Sequence, residues 1–437
     1  MRTYSNYKYS GISPIGDIPS EWNTVRLKAV FDEVNDRYDT SLDESLPLLS
    51  VSEYYGVAER AEKIEDEAIL IRASTLDGYK KCKAGDFVSN IMLAWKCAMG
   101  KSPKDGIVSP AYCVYRIKPG FNISYYHYLL RTGSYGEIYK THSTGIIDSR
   151  LRLYTDEFFS IYVPVPTEKE QATIASFLDD KVARIDHVID EAKASIEEYK
   201  QWKASIIYEA VTKGLDPEAE MVDSGVEWIG MMPNEWRVAK LKNFIDILPG
   251  YAFPSEGFLP EGIPLLRGIN VTPNGIRWDD VVYWNEEDTA YLKPFALEIG
   301  DVVMGLDRPW ISSGTRIATI HEQDVPSYLL QRVCRIRVIN QADIRFVKYW
   351  LASDSFMKSL ATETTGISVP HISTNQIQNF VVAMPTLEIQ ERICDYLDNT
   401  CARIDSLISE KDLLIADLEA YKKSLIFEVV TGKRKVV

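Results

Sequence analysis

The chain contains itself twice. Residues 10–28, SGISPIGDIPSEWNTVRLK, return as residues 224–242, SGVEWIGMMPNEWRVAKLK. Ser10, Gly11, Ile15, Gly16, Pro19, Glu21, Trp22, Leu27 and Lys28 recur as Ser224, Gly225, Ile229, Gly230, Pro233, Glu235, Trp236, Leu241 and Lys242. A longer match joins residues 166–212 to 385–431 without a gap, and within it Ala183-Arg184-Ile185-Asp186 becomes Ala402-Arg403-Ile404-Asp405. Between these matched ends the halves diverge. Only landmarks survive: Gly85-Asp86 with Gly300-Asp301, Trp95 with Trp310, and Thr144-Gly145-Ile146 with Thr365-Gly366-Ile367. A repeat of this kind dictates a repeated architecture. A frame kept twice around two private middles implies one scaffold that presents two different binding surfaces.

The second matched segment is helical by its spacing. Alternating steps of four and three from Leu178 reach Val182, Ile185, Ile189, Ala192, Ile196, Tyr199, Lys203, Ile206 and Ala210. The corresponding positions are Leu397, Cys401, Ile404, Ile408, Lys411, Ile415, Leu418, Lys422, Leu425 and Val429. This is a heptad seam, and neither Pro nor Gly interrupts it. Each helix follows a Pro-Thr pair (Pro166-Thr167, Pro385-Thr386) whose Thr can cap it, and each ends near a glycine, Gly214 or Gly432. Some 45 residues at about 1.5 Å each give a rod of roughly 65 Å. Lys203 and Lys422 share one seam position, so a parallel pair would stack two cations. An antiparallel pair offers Asp398 and Asp405 to Lys203, and Asp179 and Asp186 to Lys422. The spacing therefore predicts antiparallel pairing. The alternatives are helices packed separately on their own domains, or lysines that merely rest their stems on the rim of the seam.

The private middles, residues 20–165 and 234–384, carry β-branched and aromatic runs punctuated by Gly and Pro: DFVSNIM at 86–92, AYCVYRI at 111–117, GDVVMGL at 300–306 and RVCRIRVI at 332–339. These predict strands, and segments 125–141 and 344–361 read as helical. The expected fold class is α+β: two α/β recognition domains separated by two long helices that form an antiparallel coiled coil, with a pseudo-twofold internal repeat. The boundaries are 1–165 for the first domain, 166–213 for the first helical region, 214–384 for the second domain with its leading linker, and 385–437 for the second helical region.

No catalytic constellation accompanies this frame. Gly100-Lys101-Ser102 resembles the end of a phosphate loop, but the first glycine would fall at Trp95. No HExxH or GxSxG motif occurs, and no Asn-Pro-Pro-aromatic or Asp-Pro-Pro-aromatic tetrapeptide. The six cysteines form no CxxC pair and the five histidines are scattered, which argues against zinc and for reduced thiols in a cytoplasmic protein. No apolar run approaches the roughly 20 residues of a membrane span. The net charge of −14 opposes a free-standing nucleic-acid binder. It permits a local basic patch, or a partner that supplies the phosphate contacts.

Basic and polar residues do gather in the loops of the private middles. The first has Lys80, Lys81, Lys83, Lys96, Lys101, Lys104, Arg150 and Arg152; the second has Arg267, Asn270, Arg277, Arg308, Arg316 and Arg332. Such side chains contact phosphates or guanine edges. Taken singly, each is better explained by solvated surface charge; taken together, they mark where a DNA sequence would be read. Ser143, Arg150 and His371 lie close to the Thr-Gly-Ile landmarks, where a structural turn is the competing explanation.

With these residues in view, the chain resembles the specificity subunit of type I restriction–modification systems. The resemblance rests on SGISPIGDIPSEW and SGVEWIGMMPNEW, on the helix entries VPVPTEKEQATIASFLDD and AMPTLEIQERICDYLDN, and on the exits VTKGL and VTGK, and it spans essentially the whole sequence. It implies a non-catalytic chain in which each variable domain reads one half of a split, asymmetric double-stranded DNA site. The paired helices, with Leu178, Val182, Ile185, Ile189, Ile196 and Lys203 facing Leu397, Ile404, Ile408, Ile415, Leu418 and Lys422, would set the spacer. Two adenine-methylating modification subunits would dock on the shared regions, and restriction subunits would join them. S-adenosylmethionine, ATP and Mg would belong to those partners, with no cofactor held by this chain. A specificity chain serving a fused methyltransferase–nuclease, or a coiled-coil scaffold that binds no DNA, are the alternatives.

Overall fold

The computed structural model describes residues 3–41, 45–61, 76–285, 290–311, 314–361 and 371–436. The Thr365-Gly366-Ile367 landmark lies outside them. The chain forms two compact units, one made of Met1–Ala192 with Asp412–Val437 and the other of Lys193–Lys411. Both unit boundaries fall inside a long helix and at matching positions of the repeat. Each unit therefore combines one variable domain with half of each helix.

The two units repeat one topology. In the first, a four-stranded antiparallel sheet runs in the order Phe31–Val34, Tyr112–Ile117, Phe87–Asn90, Met99–Lys101. In the second, the order is Ile245–Pro249, Val333–Val338, Val302–Gly305, Ile317–Thr319. Two small ladders accompany each sheet: Tyr7–Tyr9 on Asp17–Pro19 with Asn23–Arg26 on Tyr162–Val165, and Met221–Asp223 on Met231–Pro233 with Arg237–Lys240 on Val381–Met384. The private parts differ. The first unit adds hairpin Leu49–Ser52 with Gly56–Glu59; the second adds Ile263–Leu266 between Tyr283–Trp284 and a parallel Tyr328–Leu329.

The sequence landmarks hold this frame together. Gly85 and Gly300 turn the chain at φ 88° and 91°, a conformation that glycine adopts freely. The Asp that follows is buried and accepts a backbone N–H three residues back, Lys83 for Asp86 and Glu298 for Asp301, each with its Oδ2. The same carboxylates grip Arg116 and Arg337 on the neighbouring strand. Gln171 and Gln390 are fully buried near the starts of the long helices. Each accepts a backbone N–H from the cap of a domain helix, Asn122 at 2.8 Å or Asp343 at 2.9 Å, and donates to the carbonyl of Pro166 or Pro385. One amide thus ties each variable domain to its helix.

The helical segments expected over 125–141 and 344–361 are each broken in two: Ile123–Leu129 then Gly133–His142, and Ile344–Ala352 then Asp354–Ala361. The cause is a buried hydroxyl at the same place in both. Thr132 Oγ1 donates to Leu129 O, and Ser353 Oγ to Trp350 O, closing the first helix three residues back.

The long helices run over Glu168–Lys213 and Leu387–Val430. Thr167 accepts the Glu170 N–H as a cap. In the first unit Leu178, Ile185 and Ile189 share one core with Leu425, Val429 and Val430. In the second, Ile207, Ala210 and Val211 share one with Ile393, Cys394, Leu397 and Cys401. The early part of one helix meets the late part of the other in both, so the pairing is antiparallel. Lys422 Nζ bonds Asp186 Oδ1 at 2.5 Å, and Lys203 Nζ bonds Asp405 at 2.7 Å, so both pairs follow one register. The other expected partners are engaged elsewhere: Tyr128 donates to Asp179, and Tyr349 with Arg345 to Asp398. Ile207 replaces Ile206 as the buried residue near the end of the first seam. A straight helix of 3.6 residues per turn drifts off a 3.5 repeat in this way.

Partly exposed ion pairs are individually weak. A double-mutant cycle of Lys203→Ala and Asp405→Ala is expected to give a coupling of about 0.5–1 kcal/mol in denaturant unfolding. A parallel arrangement would give none.

Candidate nucleic-acid interface

In the second unit, four separate segments converge at one end of the central sheet. Strands Val302–Gly305 and Val333–Val338 are antiparallel with Gly305 opposite Val333, so residue 306 onward and residue 332 backward leave the sheet together. The Leu306 N–H donates to Arg332 O at 2.9 Å, and the Ile372 N–H to Leu306 O at 2.8 Å, which brings in His371. The Arg316 N–H donates to Pro309 O at 2.7 Å. Asp307, Arg308, Arg316, Arg332 and His371 are thereby gathered. Arg332 Nη1 donates to Asp307 Oδ2 at 2.6 Å, and His371 Nδ1 stands 2.7 Å from Asp307 Oδ1. The His371 hydrogen bond lowers the pKa of the Asp307 carboxyl, burial opposes it, and Arg332 adds to the lowering.

Arg308 and Arg332 are exposed and hold left-handed backbone conformations, φ 45° and 68°. A non-glycine residue there costs about 1 kcal/mol or more. The loop after Ile263–Leu266 flanks the cluster, since a Cβ on Gly268 would stand 3.8 Å from Arg332 O. That loop is fixed by Asn270, which is 2% exposed. Its amide accepts the Arg267 N–H and donates to Arg277 O and Asp280 O, so it holds the loop and does not face solvent. Arg267 pairs with Asp280, and exposed Arg277 with Asp279.

The first unit has the same sheet end, lined differently. Asn90 lies opposite Tyr112, and the Leu153 N–H donates to Ile91 O, as Ile372 does to Leu306. By this correspondence Met92, Leu93, Ala111 and Arg152 stand where the second unit has Asp307, Arg308, Arg332 and His371. Cations collect nearby instead. Lys96 and Lys140 each lie 5.4 Å from the Trp95 ring, and Lys96 also pairs with Glu53 at 3.3 Å. Arg131 Nη2 donates to the carbonyls of Glu53 and Tyr54, both at 3.2 Å, beneath a Tyr54 side chain that is 85% exposed. The Lys101 N–H donates to His127 Nδ1, and Arg131 Nη1 stands 3.4 Å from Nε2. Burial, with Arg131 and Lys101 adding to it, pushes the His127 pKa down to about 3.

The remaining residues singled out from the sequence have other surroundings. Lys80 is buried at 6% on strand Lys80–Cys82, which takes it out of any surface role. Lys81 pairs with Asp36 at 3.3 Å, and Lys104 with Glu59 at 2.6 Å. Lys83 and Arg150 are exposed. Arg152 Nη1 donates to Leu151 O at 2.7 Å. Arg131, Lys140 and Asp307 were not singled out in the sequence, because no spacing announces their contacts with Glu53, Trp95 and Arg332, which are remote in the chain.

Comparison with known proteins places this architecture. A family model described as the type I restriction modification DNA specificity domain matches residues 233–414. The type I restriction enzyme MjaVIII specificity subunit of Methanocaldococcus jannaschii is 28% identical over 436 aligned positions, covering 96% of this chain and 94% of that one. The EcoAI specificity subunit of Escherichia coli is 28% identical over 60% of this chain and 44% of its own length. Among solved structures, a chain from a study of complex assembly and conformational transition in the type I R-M system superposes with a TM-score of 0.69, at 16% identity over 95% of this chain and 99% of that one. The HsdS subunit from Thermoanaerobacter tengcongensis gives 0.51, also at 16% identity, over 95% and 98%. At such identity the structural likeness speaks for the fold.

Proposed function

We propose that this chain, which belongs to the specificity subunits of type I restriction–modification systems, assigns the two ends of a split DNA site to its two sheet ends. One observation carries the division of labour. The two units place the same strands and a matching backbone hydrogen bond, Ile372 N–H to Leu306 O and Leu153 N–H to Ile91 O, at one sheet end, yet line it with unlike side chains: Asp307, Arg308 and Arg332 in one, Met92, Leu93 and Ala111 in the other. A shared frame with unlike tips is what reading two different half-sites requires. Lys96, Arg131 and Lys140 serve the first half-site, and Arg308, Arg316 and Arg332 the second.

The helices serve a partner that comes in two copies. Val188 and Leu407 occupy one repeat position and are 41% and 38% exposed; Trp202 and Tyr421 occupy another and are 51% and 50% exposed. Apolar side chains left outward at matched positions suit two identical docking events, and large aromatics are favoured anchors at interfaces. The partners are two modification subunits. They methylate adenine with S-adenosylmethionine and supply basic surface that a chain of net charge −14 lacks. Restriction subunits that use ATP and Mg complete the assembly. Among the described residues no helix is long and apolar enough to cross a membrane.

Exchange of residues 20–165 for the corresponding domain of another specificity subunit tests this reading. Adenine-methylation sequencing of a host expressing the hybrid with its modification subunit is expected to report a new first half-site and an unchanged second. A change in both halves would refute independent reading.

A further inference from the structure

The cluster around Asp307 has the form of a held guanidinium fork. Arg332 is anchored through one nitrogen, at 2.6 Å from Asp307, while its side chain is 71% exposed. Its backbone is bound on the sheet side through the Leu306 N–H and adopts φ 68°, so its base is fixed in an orientation that an ordinary residue avoids. The other oxygen of Asp307 is occupied by His371. With both oxygens engaged, the carboxylate is fixed from two sides and serves as a clamp.

A planar guanidinium pre-oriented by a carboxylate matches the N7 and O6 acceptors of guanine in the major groove, where two parallel donors distinguish G·C from the other pairs. Ammonium groups suit phosphates better, and those are what the first unit gathers around Trp95, with Lys96 and Lys140. The corresponding position in the first unit is Ala111, which offers no donor. Strain kept at an exposed arginine is the pattern of a site whose function repays it.

Building on the reading proposed above, we infer that Arg332 reads a guanine in the half-site of the second domain, with Asp307 as its positioning residue and the first domain lacking that contact. His371 locks the far side of the clamp.

The test uses the full chain co-expressed with its modification subunit, with adenine-methylation sequencing as the readout and thermal unfolding as the control. Arg332→Gly suits the left-handed backbone, so the variant folds at least as stably as the parent. Arg332→Lys keeps the charge but loses the fork. Both are expected to relax a single G·C position of the second half-site, by roughly tenfold to a hundredfold in discrimination, and to leave the first half-site intact. Asp307→Asn is expected to relax the same position less. Three outcomes would overturn the inference: a lysine variant that restores the motif while the glycine variant weakens methylation evenly at every site, which is a phosphate contact; no change in either variant; or a second half-site without a G·C pair. Failure of the parent chain to direct any split motif would instead strike the DNA-reading function itself.

Discussion

Gly432→Ala is expected to destabilise the first unit by at least about 3 kcal/mol, whereas Gly214→Ala, at the end of the other long helix, should cost only about 1–2 kcal/mol. Both glycines end a long helix in the left-handed region, at φ 73° and 77°, so both substitutions incur the same backbone strain. Their surroundings differ. A Cβ on Gly432 would stand 2.3 Å from Cδ and 2.5 Å from Cγ of Pro19, and 3.1 Å from the Trp22 ring. Pro19 is a closed ring in a paired strand and Trp22 is 1% exposed, so neither moves aside cheaply. A Cβ on Gly214 would meet only the edge of Trp236, at 3.0 Å. A shift of a few tenths of an ångström relieves that contact. Urea unfolding of the two variants provides the measurement, and equal losses would show that conformation alone decides.

The size of the first effect follows from how that unit is assembled. Residues near both chain ends meet there: Tyr7 Oη donates to Gly432 O, Tyr125 Oη to Val430 O, and Lys433 to Asp17 O. The second unit closes in the same way on the exit of the first helix, with Tyr208 Oη donating to Ile229 O. Each leading segment is thus completed by the helix of the other half.

The long helices were legible because their signal is local and repeated. A seam of apolar residues every three or four positions, a capping Thr and a terminal Gly are all readable within a few residues, and the matched lysines also gave the direction of pairing. Domain detail was less legible. The stretches 125–141 and 344–361 look continuous, and only the buried Thr132 and Ser353 hydroxyls reveal the break. Gly85-Asp86 and Gly300-Asp301 stood out as repeated, yet their role depends on Arg116 and Arg337, which come from another strand. Among the loop residues, Lys80 and Asn270 are of the right chemical type but are buried. Asp307 was missed because its partners lie 25 and 64 residues away in sequence. Residue type marks candidates; backbone topology decides which of them meet.

Shortening both helices is expected to change the spacing of the recognised site without changing its halves. Removal of Asp190–Ile196 and Ser409–Ile415 takes seven residues, one heptad, from equivalent places. Both deletions lie between the Lys422–Asp186 and Lys203–Asp405 pairs, so those bonds and the contacts of each variable domain are retained. A heptad is about 10.5 Å of helix, which corresponds to roughly three base pairs at about 3.4 Å each. The seam keeps its phase, so the shortened pair still closes. Methylation sequencing should report the same two half-sites with a spacer about three base pairs shorter. Efficiency should fall, because three base pairs also rotate the duplex by about 100° at roughly 10.5 base pairs per turn. Removing four residues instead breaks the heptad phase, and the loss of methylation should be deeper even though the change in length is smaller. Methylation at the original spacing by the seven-residue variant would show that the distance between half-sites is set by something other than the helices.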